Sequence, residues 1–321
     1  YDARATALAY GSRLIYEDLG LWPAISEGAT GIQRIHVSER GRFGSTRMDA
    51  AEHGQEALGY VVDNAWLGLN LVSALGSADL QWLCPARVLS AHSSAQGAEV
   101  RIERDGAIED WHCDLLVVAD GGRSGLRETL GFSVQRREYD QHALVATVTT
   151  SRPHEGVAYE RFTDDGPVAL LPHRSERDYA LVWTMDSAEI ERRMALGNDA
   201  FLEELQARFG WRQGRFEHVG QRHSYALALE QVVHPVRPGV VLVGNAAHSL
   251  HPVAGQGFNL ALRGLMRLSS CLGKAASEPA SLGQPEQLAS YVETHQQDVD
   301  AIVGFSDGLV RVFSEKSGFP G

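Results

Sequence analysis

Residues 240–259 read VVLVGNAAHSLHPVAGQGFN, and this stretch decides the fold. Its first four residues predict a buried strand, and the apolar residues of Leu260–Leu268 recur at helical spacing, so a helix should begin near Gln256. A loop of small residues lets backbone approach a ligand closely, and the free N–H groups of a helix start favour negative charge. An ordinary strand–turn–helix connection needs only two glycines. Small residues, a proline and two histidines at set places over sixteen positions favour a cofactor site instead.

A second stretch, residues 114–127, reads DLLVVADGGRSGLR and has the same organisation. It contains the pattern D-G-x-x-S-x-x-R, carried by Asp120, Gly121, Ser124 and Arg127. Asp at the end of a strand can accept from ribose hydroxyls or cap a helix, Ser can cap, and Arg reaches phosphate oxygens. Alone this pattern could be a capped turn. Its pairing with G-N-A-A-H-x-x-x-P-x-x-G-x-G-x-N more than a hundred residues downstream is hard to obtain by chance.

Together the two stretches resemble the internal motifs of the flavin-dependent aromatic hydroxylases, the family that contains para-hydroxybenzoate hydroxylase. Residues 1–9, YDARATALA, match the D-x-R-x-x-A-L segment of that family. Residues 160–172, ERFTDDGPVALLP, match a segment of its ubiquinone-biosynthesis hydroxylases. Asn245 in place of the usual Asp, and NLALR at 259–263, indicate the 2-polyprenyl-6-methoxyphenol hydroxylase branch. The resemblance covers essentially the whole chain.

The resemblance implies an α/β FAD-binding domain, Rossmann-like and of the glutathione-reductase type, with an inserted α+β substrate domain of mostly antiparallel strands. The predicted boundaries are 1–138 for the first part of the FAD-binding domain, 139–232 for the substrate domain, and 233–321 for the return to the FAD-binding domain. From about Tyr139 the sequence itself changes to alternating strands with one amphipathic helix, which is typical of an antiparallel sheet with a helix against it.

The family opens with a strand, a G-x-G-x-x-G turn and a helix that hold the FAD pyrophosphate. No such turn is found here, because Gly255-Gln256-Gly257 is followed by Leu at position 260. We therefore expect residues ahead of Tyr1 to be absent, by truncation or by disorder, and the C-terminal end to be short as well. A chain without that segment should bind FAD poorly.

Periodicity predicts the elements around the motifs. Helices are predicted at Arg4–Leu19, Asn64–Leu75, Asp199–Phe209 and Leu288–Phe313. Strands are predicted at Ile32–Ser38, Arg87–His92, Glu99–Glu103, Asp110–Val118, Ala143–Thr149, Val157–Phe162, Val168–Leu171, Tyr179–Thr184 and Phe216–Leu229. Glu39–Gln55 is predicted to be a polar, glycine-bearing excursion.

The resemblance implies an FAD-dependent monooxygenase that takes electrons from NAD(P)H and hydroxylates a polyprenylated phenol with O2, through a flavin C4a-hydroperoxide. Asn245 should lie near the ribityl chain, and the helix start at Gly255–Gly257 should face the pyrimidine edge of the flavin. Pro252 should lie at the isoalloxazine face near the substrate. The residues expected to bind the cofactor are Arg4, Asp120, Gly121, Ser124, Arg127, Gly244, Asn245, Pro252, Gly255, Gln256, Gly257, Phe258 and Asn259.

The expected catalytic residues are Pro252 and Tyr225. Pro252 fixes the loop and removes a competing N–H donor. Tyr225 is a candidate for steering the phenol, and the alternative is a core tyrosine that hydrogen-bonds to backbone. His248 and His251 lie three apart, but no carboxylate or Cys stands at a fitting interval, so no metal site is predicted.

Other functions stay open at this point. A nucleophile elbow, G-x-S-x-G, needs glycine at 126, where Leu stands, so a hydrolase is not expected. A related flavoprotein reductase and a non-catalytic scaffold subunit of a biosynthetic complex remain as alternatives. Asn245 and Gly264, which replace acidic residues of the family, leave the scaffold open.

Composition restricts the partners. The chain has 321 residues and a net charge of −12, which argues against nucleic acid, because phosphate contacts need clustered cations. Three widely spaced cysteines indicate reduced thiols in a cytosolic protein. The polyprenyl tail implies an apolar groove and contact with other ubiquinone-biosynthesis proteins or a membrane surface. We expect a cytoplasmic protein at the periphery of the inner membrane.

Overall fold

A computed structural model describes residues 4–42, 44–76, 78–122, 125–250, 255–275 and 282–314. The chain divides into two compact units. The first combines the residues up to Ala78 with Asp140–Leu227, and the second combines Asp79–Tyr139 with Ala228–Val312. The division groups residues up to Ala78 with the segment predicted to bind substrate. The assignment of FAD and substrate domains stays a prediction.

The described residues form eighteen strands and eight α-helices. The strands are β1 Ala5–Ala9, β2 Ala29–Ile32, β3 Arg34–Glu39, β4 Ser45–Asp49, β5 Gly59–Asp63, β6 Arg87–Ser94, β7 Gly97–Arg104, β8 Ala107–Cys113, β9 Leu116–Val118, β10 Val134–Thr150, β11 Val157–Thr163, β12 Gly166–His173, β13 Asp178–Asp186, β14 Phe216–Val219, β15 His223–Val232, β16 Val236–Arg237, β17 Val240–Leu242 and β18 His248–Ser249. The helices are α1 Tyr10–Asp18, α2 Trp22–Ser26, α3 Asn64–Leu75, α4 Gly125–Thr129, α5 Ser187–Ala195, α6 Asn198–Phe209, α7 Gln256–Ala275 and α8 Pro285–Ser314.

A nine-stranded, mostly antiparallel sheet has the order β18-β15-β10-β13-β12-β11-β3-β4, with β14 also pairing with β10. Within this sheet, β11 and β3 are the only parallel pair among the described strand pairs whose register is known. One face of this sheet packs against α5 and α6 through a cluster that includes Trp183, Phe201 and Leu205, each fully buried. A three-stranded sheet, β1-β5-β2, lies within the first unit. This arrangement confirms the predicted antiparallel sheet with a helix against it.

In the second unit, β9 and β17 run parallel, and β16 pairs with β17. A separate antiparallel sheet joins β6, β7 and β8. The two long helices pack beside β17, where Leu268 of α7 and Leu288 and Tyr291 of α8 meet Val241 and Val243. None of the helices in the described ranges is long and apolar enough to cross a membrane.

Several predicted elements are confirmed and several were wrong. The helix predicted at Asn64–Leu75 begins and ends at those residues. The helix predicted at Arg4–Leu19 is instead β1 followed by α1. Alanine favours helices, but pairing with β5 overrides that preference here. A β-carbon at Gly59 would lie 2.6 Å from the carbonyl oxygen of Leu8, so glycine permits the close pairing.

Other boundaries differ because the chain turns inside one apolar or polar run. Asp110–Val118 divides between β8 and β9, which belong to different sheets, and Phe216–Leu229 divides between β14 and β15. The excursion at Glu39–Gln55 contains the exposed strand β4, whose polar residues give no apolar alternation. The helix α5 was not predicted.

Candidate functional site

The two motif loops of the sequence meet in the second unit. Val118 and Leu242 pair in parallel strands, and the amide of Val243 donates to the carbonyl oxygen of Val118 at 3.0 Å. Both segments then turn through glycines in the left-handed region, with φ of +90° at Gly121 and +56° at Gly244. A β-carbon at Gly122, which follows Gly121, would lie 3.6 Å from the carbonyl oxygen of Asn245. Two motifs more than a hundred residues apart thus form one surface.

Arg127 ties the two loops together. Its side chain is buried, with Nη1 donating to the carbonyl oxygen of Ala246 at 3.4 Å and Nη2 to that of Gly122 at 3.2 Å. Nη2 also pairs with Oε2 of Glu230 at 3.2 Å, and Glu230 binds the exposed Arg136 through Oε1 at 2.9 Å. The sequence predicted that Arg127 meets the dinucleotide. The structure shows its guanidinium group bonded to protein, which favours a positioning role.

The surface leaves polar groups available to a ligand. Asp120 and Asn245 are exposed, and their side chains make no hydrogen bond or ion pair with the described residues. A β-carbon added at Gly121 or Gly257 would meet open space. An exposed carboxylate, an exposed amide and open backbone are the groups that the hydroxyls of a ribose and a ribityl chain require.

The start of α7 is ordered by its own side chains. Asn259 is buried and donates from Nδ2 to the carbonyl oxygen of Gly255 at 3.0 Å, closing the first turn. Gly255 has φ of +60°. Gln256 and Gly257 are half-buried, whereas Phe258 is exposed. Ser124, His251 and Pro252 lie outside the described residues, so their predicted roles stay predictions.

A buried histidine pair joins β18 to α8. The rings of His248 and His295 are 5.1 Å apart, and neither His248 Nε2 nor His295 Nδ1 has a hydrogen-bond partner among the described residues. Burial, and next the charge of His295, lower the pKa of His248 to about 4. The described part of the chain holds no group of three His, Cys, Asp or Glu arranged for a metal ion.

In the first unit the structure brings together two residues that were predicted separately. The guanidinium carbon of Arg4 lies 5.2 Å from the centroid of the Tyr225 ring, in a cation–π contact. Tyr225 is 38% exposed, so the alternative of a core tyrosine was wrong. Its hydroxyl makes no hydrogen bond to the described residues and is available to a ligand.

The residues that contact the backbone of Arg4 and fix the neighbouring strand were missed by the sequence analysis. The amide of Asn64 donates to the carbonyl oxygen of Arg4 at 2.9 Å, and Thr6 Oγ1 donates to Asn64 Oδ1 at 2.5 Å. Asp63 accepts from His173 Nε2 at 2.8 Å and pairs with Arg174, so β5 is fixed to β12. The sequence signal that could have found these residues is the pair Asp63-Asn64, where β5 ends and α3 begins.

Comparison with known proteins agrees with the resemblance to flavin-dependent hydroxylases. The sequence profile of the FAD binding domain family matches residues 1–306. Ubiquinone hydroxylase UbiL of Rhodospirillum rubrum is 35% identical over 315 residues, which cover 98% of this chain and 72% of UbiL. The human ubiquinone biosynthesis monooxygenase COQ6 is 26% identical, with 98% and 75% covered. The structure of PqsL from P. aeruginosa in complex with 2-aminobenzoylacetate has a TM-score of 0.79 at 22% identity, covering 97% of this chain and 86% of PqsL, and therefore shares the fold.

Proposed function

The chain belongs to the FAD binding domain family and is an FAD-dependent monooxygenase, and from that premise we propose that it hydroxylates a polyprenylated phenol in ubiquinone biosynthesis. NAD(P)H is the electron donor and O2 the oxidant. The observation that carries the proposal is the meeting of the Asp120 loop with the Gly244–Asn245 loop, in a chain that matches UbiL over nearly its whole length.

The residues present fit FAD. The exposed carboxylate of Asp120 would accept hydrogen bonds from ribose hydroxyls, and the exposed amide of Asn245 would bond a ribityl hydroxyl. The N-terminus of α7, a helix of twenty residues, would favour negative charge on the pyrimidine edge. When bound, FAD supplies the electron transfer and the oxygen activation. The protein supplies the binding groups, their positions and the exclusion of water.

The substrate's polyprenyl tail extends the proposal to its surroundings. A tail of this kind requires an apolar groove, and it is presented either by a membrane surface or by other proteins of the pathway. We therefore propose that the protein acts at the membrane periphery and associates with other proteins of the pathway. A scaffold without catalysis is an outcome of the test below.

The test is the visible absorption of protein expressed from the complete gene, before and after NAD(P)H is added in air. We expect a flavin spectrum that bleaches and recovers, and faster NAD(P)H consumption when 2-methoxy-6-prenylphenol is present, with a product heavier by one oxygen atom. Asp120→Asn and Asn245→Ala should lower FAD affinity. A colourless protein that cannot be reconstituted with FAD would overturn the hydroxylase and favour the scaffold.

A further inference from the structure

Glu160 places a carboxyl group in the middle of the nine-stranded sheet. Glu160 lies on β11, an interior strand between β3 and β12, where it pairs with Val37 on one side and Ala169 on the other. Side chains alternate along a strand. Glu160 therefore projects from the face opposite to Tyr159, which packs in the core beneath α5 and α6.

The row of residues across the sheet at Glu160 is apolar from Val37 of β3 to Val145 of β10, and the exposed Thr46 of β4 ends it. Pairing continues from Ala169 to Val182 of β13, and from there to Val145 of β10. Each member of this row, Val37, Glu160, Ala169, Val182 and Val145, is only partly buried, whereas the opposite face of the same strands is filled. The sheet thus has one packed face and one partly open, apolar face that carries a single carboxyl group in this row.

The carboxyl group of Glu160 has no partner among the described residues, neither a hydrogen bond nor an ion pair. No cation of the described residues compensates its charge. On the same face, Glu39 is paired with Arg42, and Asp63 of the overlying β5 is paired with His173 and Arg174.

Arg161, His36 and Arg47 alternate to the other face. Burial raises the pKa of Glu160 to about 7. An apolar surface with one uncompensated carboxylate complements a neutral aromatic ring that bears one hydrogen-bond donor.

The face that carries Glu160 packs against the small sheet of the same unit. Ala158, two residues before Glu160 on the same face, packs with Val61 of β5 and with Ala5 of β1. Ala5 follows Arg4, whose guanidinium group lies over Tyr225. Glu160, the apolar row and the cation–π pair thus all lie in the first unit.

We propose that Glu160 is a catalytic residue whose carboxylate binds the hydroxyl group of the substrate phenol and accepts its proton, while the apolar row contacts the ring. The proposal rests on the proposed function, since it names the group that recognises and activates the phenol. In the step, the phenol O–H bond breaks, the proton passes to a carboxylate oxygen of Glu160, and the bonding pair stays on the phenol oxygen. No electron is gained or lost. The proton later leaves the carboxylic acid to water.

The first measurement is binding, with 2-methoxy-6-prenylphenol as the probe and its methyl ether as the control ligand that lacks the donor. The wild-type enzyme with FAD should bind the phenol about tenfold or more tightly than the ether, because a hydrogen bond to a charged group discriminates by at least this factor. The preference should grow as the pH rises through about 7, where the carboxylate forms. Glu160→Ala should lose both the preference and its pH dependence.

The second measurement is the pH profile of kcat/KM. A general base must be ionised, so the wild-type value should rise with pH and level off above about 7. Glu160→Gln should lower kcat about 10²–10⁴-fold near neutral pH and lose this limb, and Glu160→Asp should restore part of the rate. Glu39→Gln is the matched control, because Glu39 lies on the same face but is already paired.

The outcomes separate this proposal from the one on which it rests. Wild-type turnover of the phenol supports the monooxygenase function whatever the variants do. Equal binding of phenol and ether by the wild type, or Glu160→Gln with an unchanged pH limb and a rate within about threefold of wild type, overturns the role of Glu160 alone. Wild-type protein that binds neither ligand overturns both. An unchanged flavin spectrum in each variant confirms that the fold is retained.

Discussion

A β-carbon at residue 264 would lie 2.6 Å from Cε1 of His295, so Gly264 gives the imidazole ring the space that it occupies. The ring cannot move aside easily, because it is buried and stacks on Tyr291 at 5.4 Å and 12°. The glycine that replaces an acidic residue of the family is thus matched by a histidine on α8. This substitution is a feature of packing and gives no support to a loss of function.

Gly264→Ala should therefore lower the free energy of unfolding by about 1–2 kcal/mol, because the gain in helix propensity is smaller than the cost of overpacking. Gly273→Ala is the matched control on the same helix, where the added β-carbon meets open space, and it should be stabilising by up to about 1 kcal/mol. Urea unfolding measures both. The double variant with His295→Ala should remove the overpacking, and a double-mutant cycle without coupling would contradict this contact.

The Arg127–Glu230 pair leads to a second prediction. Arg127→Met should cost about 3 kcal/mol of stability, because Oε2 of the partly buried Glu230 and two carbonyl oxygens lose their donor. It should also weaken FAD binding by about tenfold, since both motif loops lose their common anchor. Isothermal titration with FAD and urea unfolding measure the two effects.

Arg136→Met is the control for this variant, because it removes the exposed partner of the same glutamate. It should cost less than about 1 kcal/mol and leave FAD affinity unchanged. If Arg127→Met lost stability but bound FAD like the wild type, Arg127 would support the fold without positioning the site.

The buried histidine pair predicts a loss of stability in mild acid. Burial, followed by the charge of His295, lowers the pKa of folded His248 to about 4, below the unfolded value of 6.5. The unfolded chain therefore binds the proton first as the pH falls. Stability is complete above about pH 6.5 and declines toward pH 4, by at most about 3 kcal/mol from this residue.

Urea unfolding at several pH values across that window checks the prediction. His248→Phe keeps an aromatic ring beside His295 and removes the titration, so its stability should change less steeply with pH. His295 contributes in the same direction, because burial lowers its pKa too. A variant with the same pH slope as the wild type would show that His248 is accessible to protons in the folded state.

The meeting of the two motif loops could be predicted from sequence, because each loop follows a buried strand and carries glycines before a helix. Their contact needed only that β9 and β17 be neighbours, as parallel strands of one domain commonly are. Asp120 and Asn245 are accordingly exposed where a cofactor could reach them.

The long-range side-chain contacts within the protein could not be predicted in this way. Glu230 lies 103 residues beyond Arg127, and nothing in the local pattern of β15 selects it as the ion-pair partner. The position of Glu160 depends on register, because a shift of one residue would move its side chain to the packed face. Ala5–Ala9 was mistaken for helix because the local preference of alanine is weaker than pairing with β5.

The contact of Arg4 with Tyr225 allows the role of the phenol hydroxyl of Tyr225 to be separated from that of its ring. Tyr225→Phe keeps the ring beneath Arg4 and removes only the hydroxyl, so stability and flavin content should match the wild type. If the hydroxyl steers the substrate, kcat/KM for 2-methoxy-6-prenylphenol should fall about tenfold, the effect of losing one hydrogen bond.

Tyr225→Leu removes the ring as well and should cost a further 0.5–2 kcal/mol or so of stability, the range of a cation–π contact. Because Arg4 then loses its cation–π contact, FAD affinity should fall in this variant and not in Tyr225→Phe. Steady-state kinetics, FAD titration and urea unfolding on the three proteins decide the matter. Wild-type kcat/KM in Tyr225→Phe together with reduced FAD affinity in Tyr225→Leu would make Tyr225 a platform for Arg4 and remove it from catalysis.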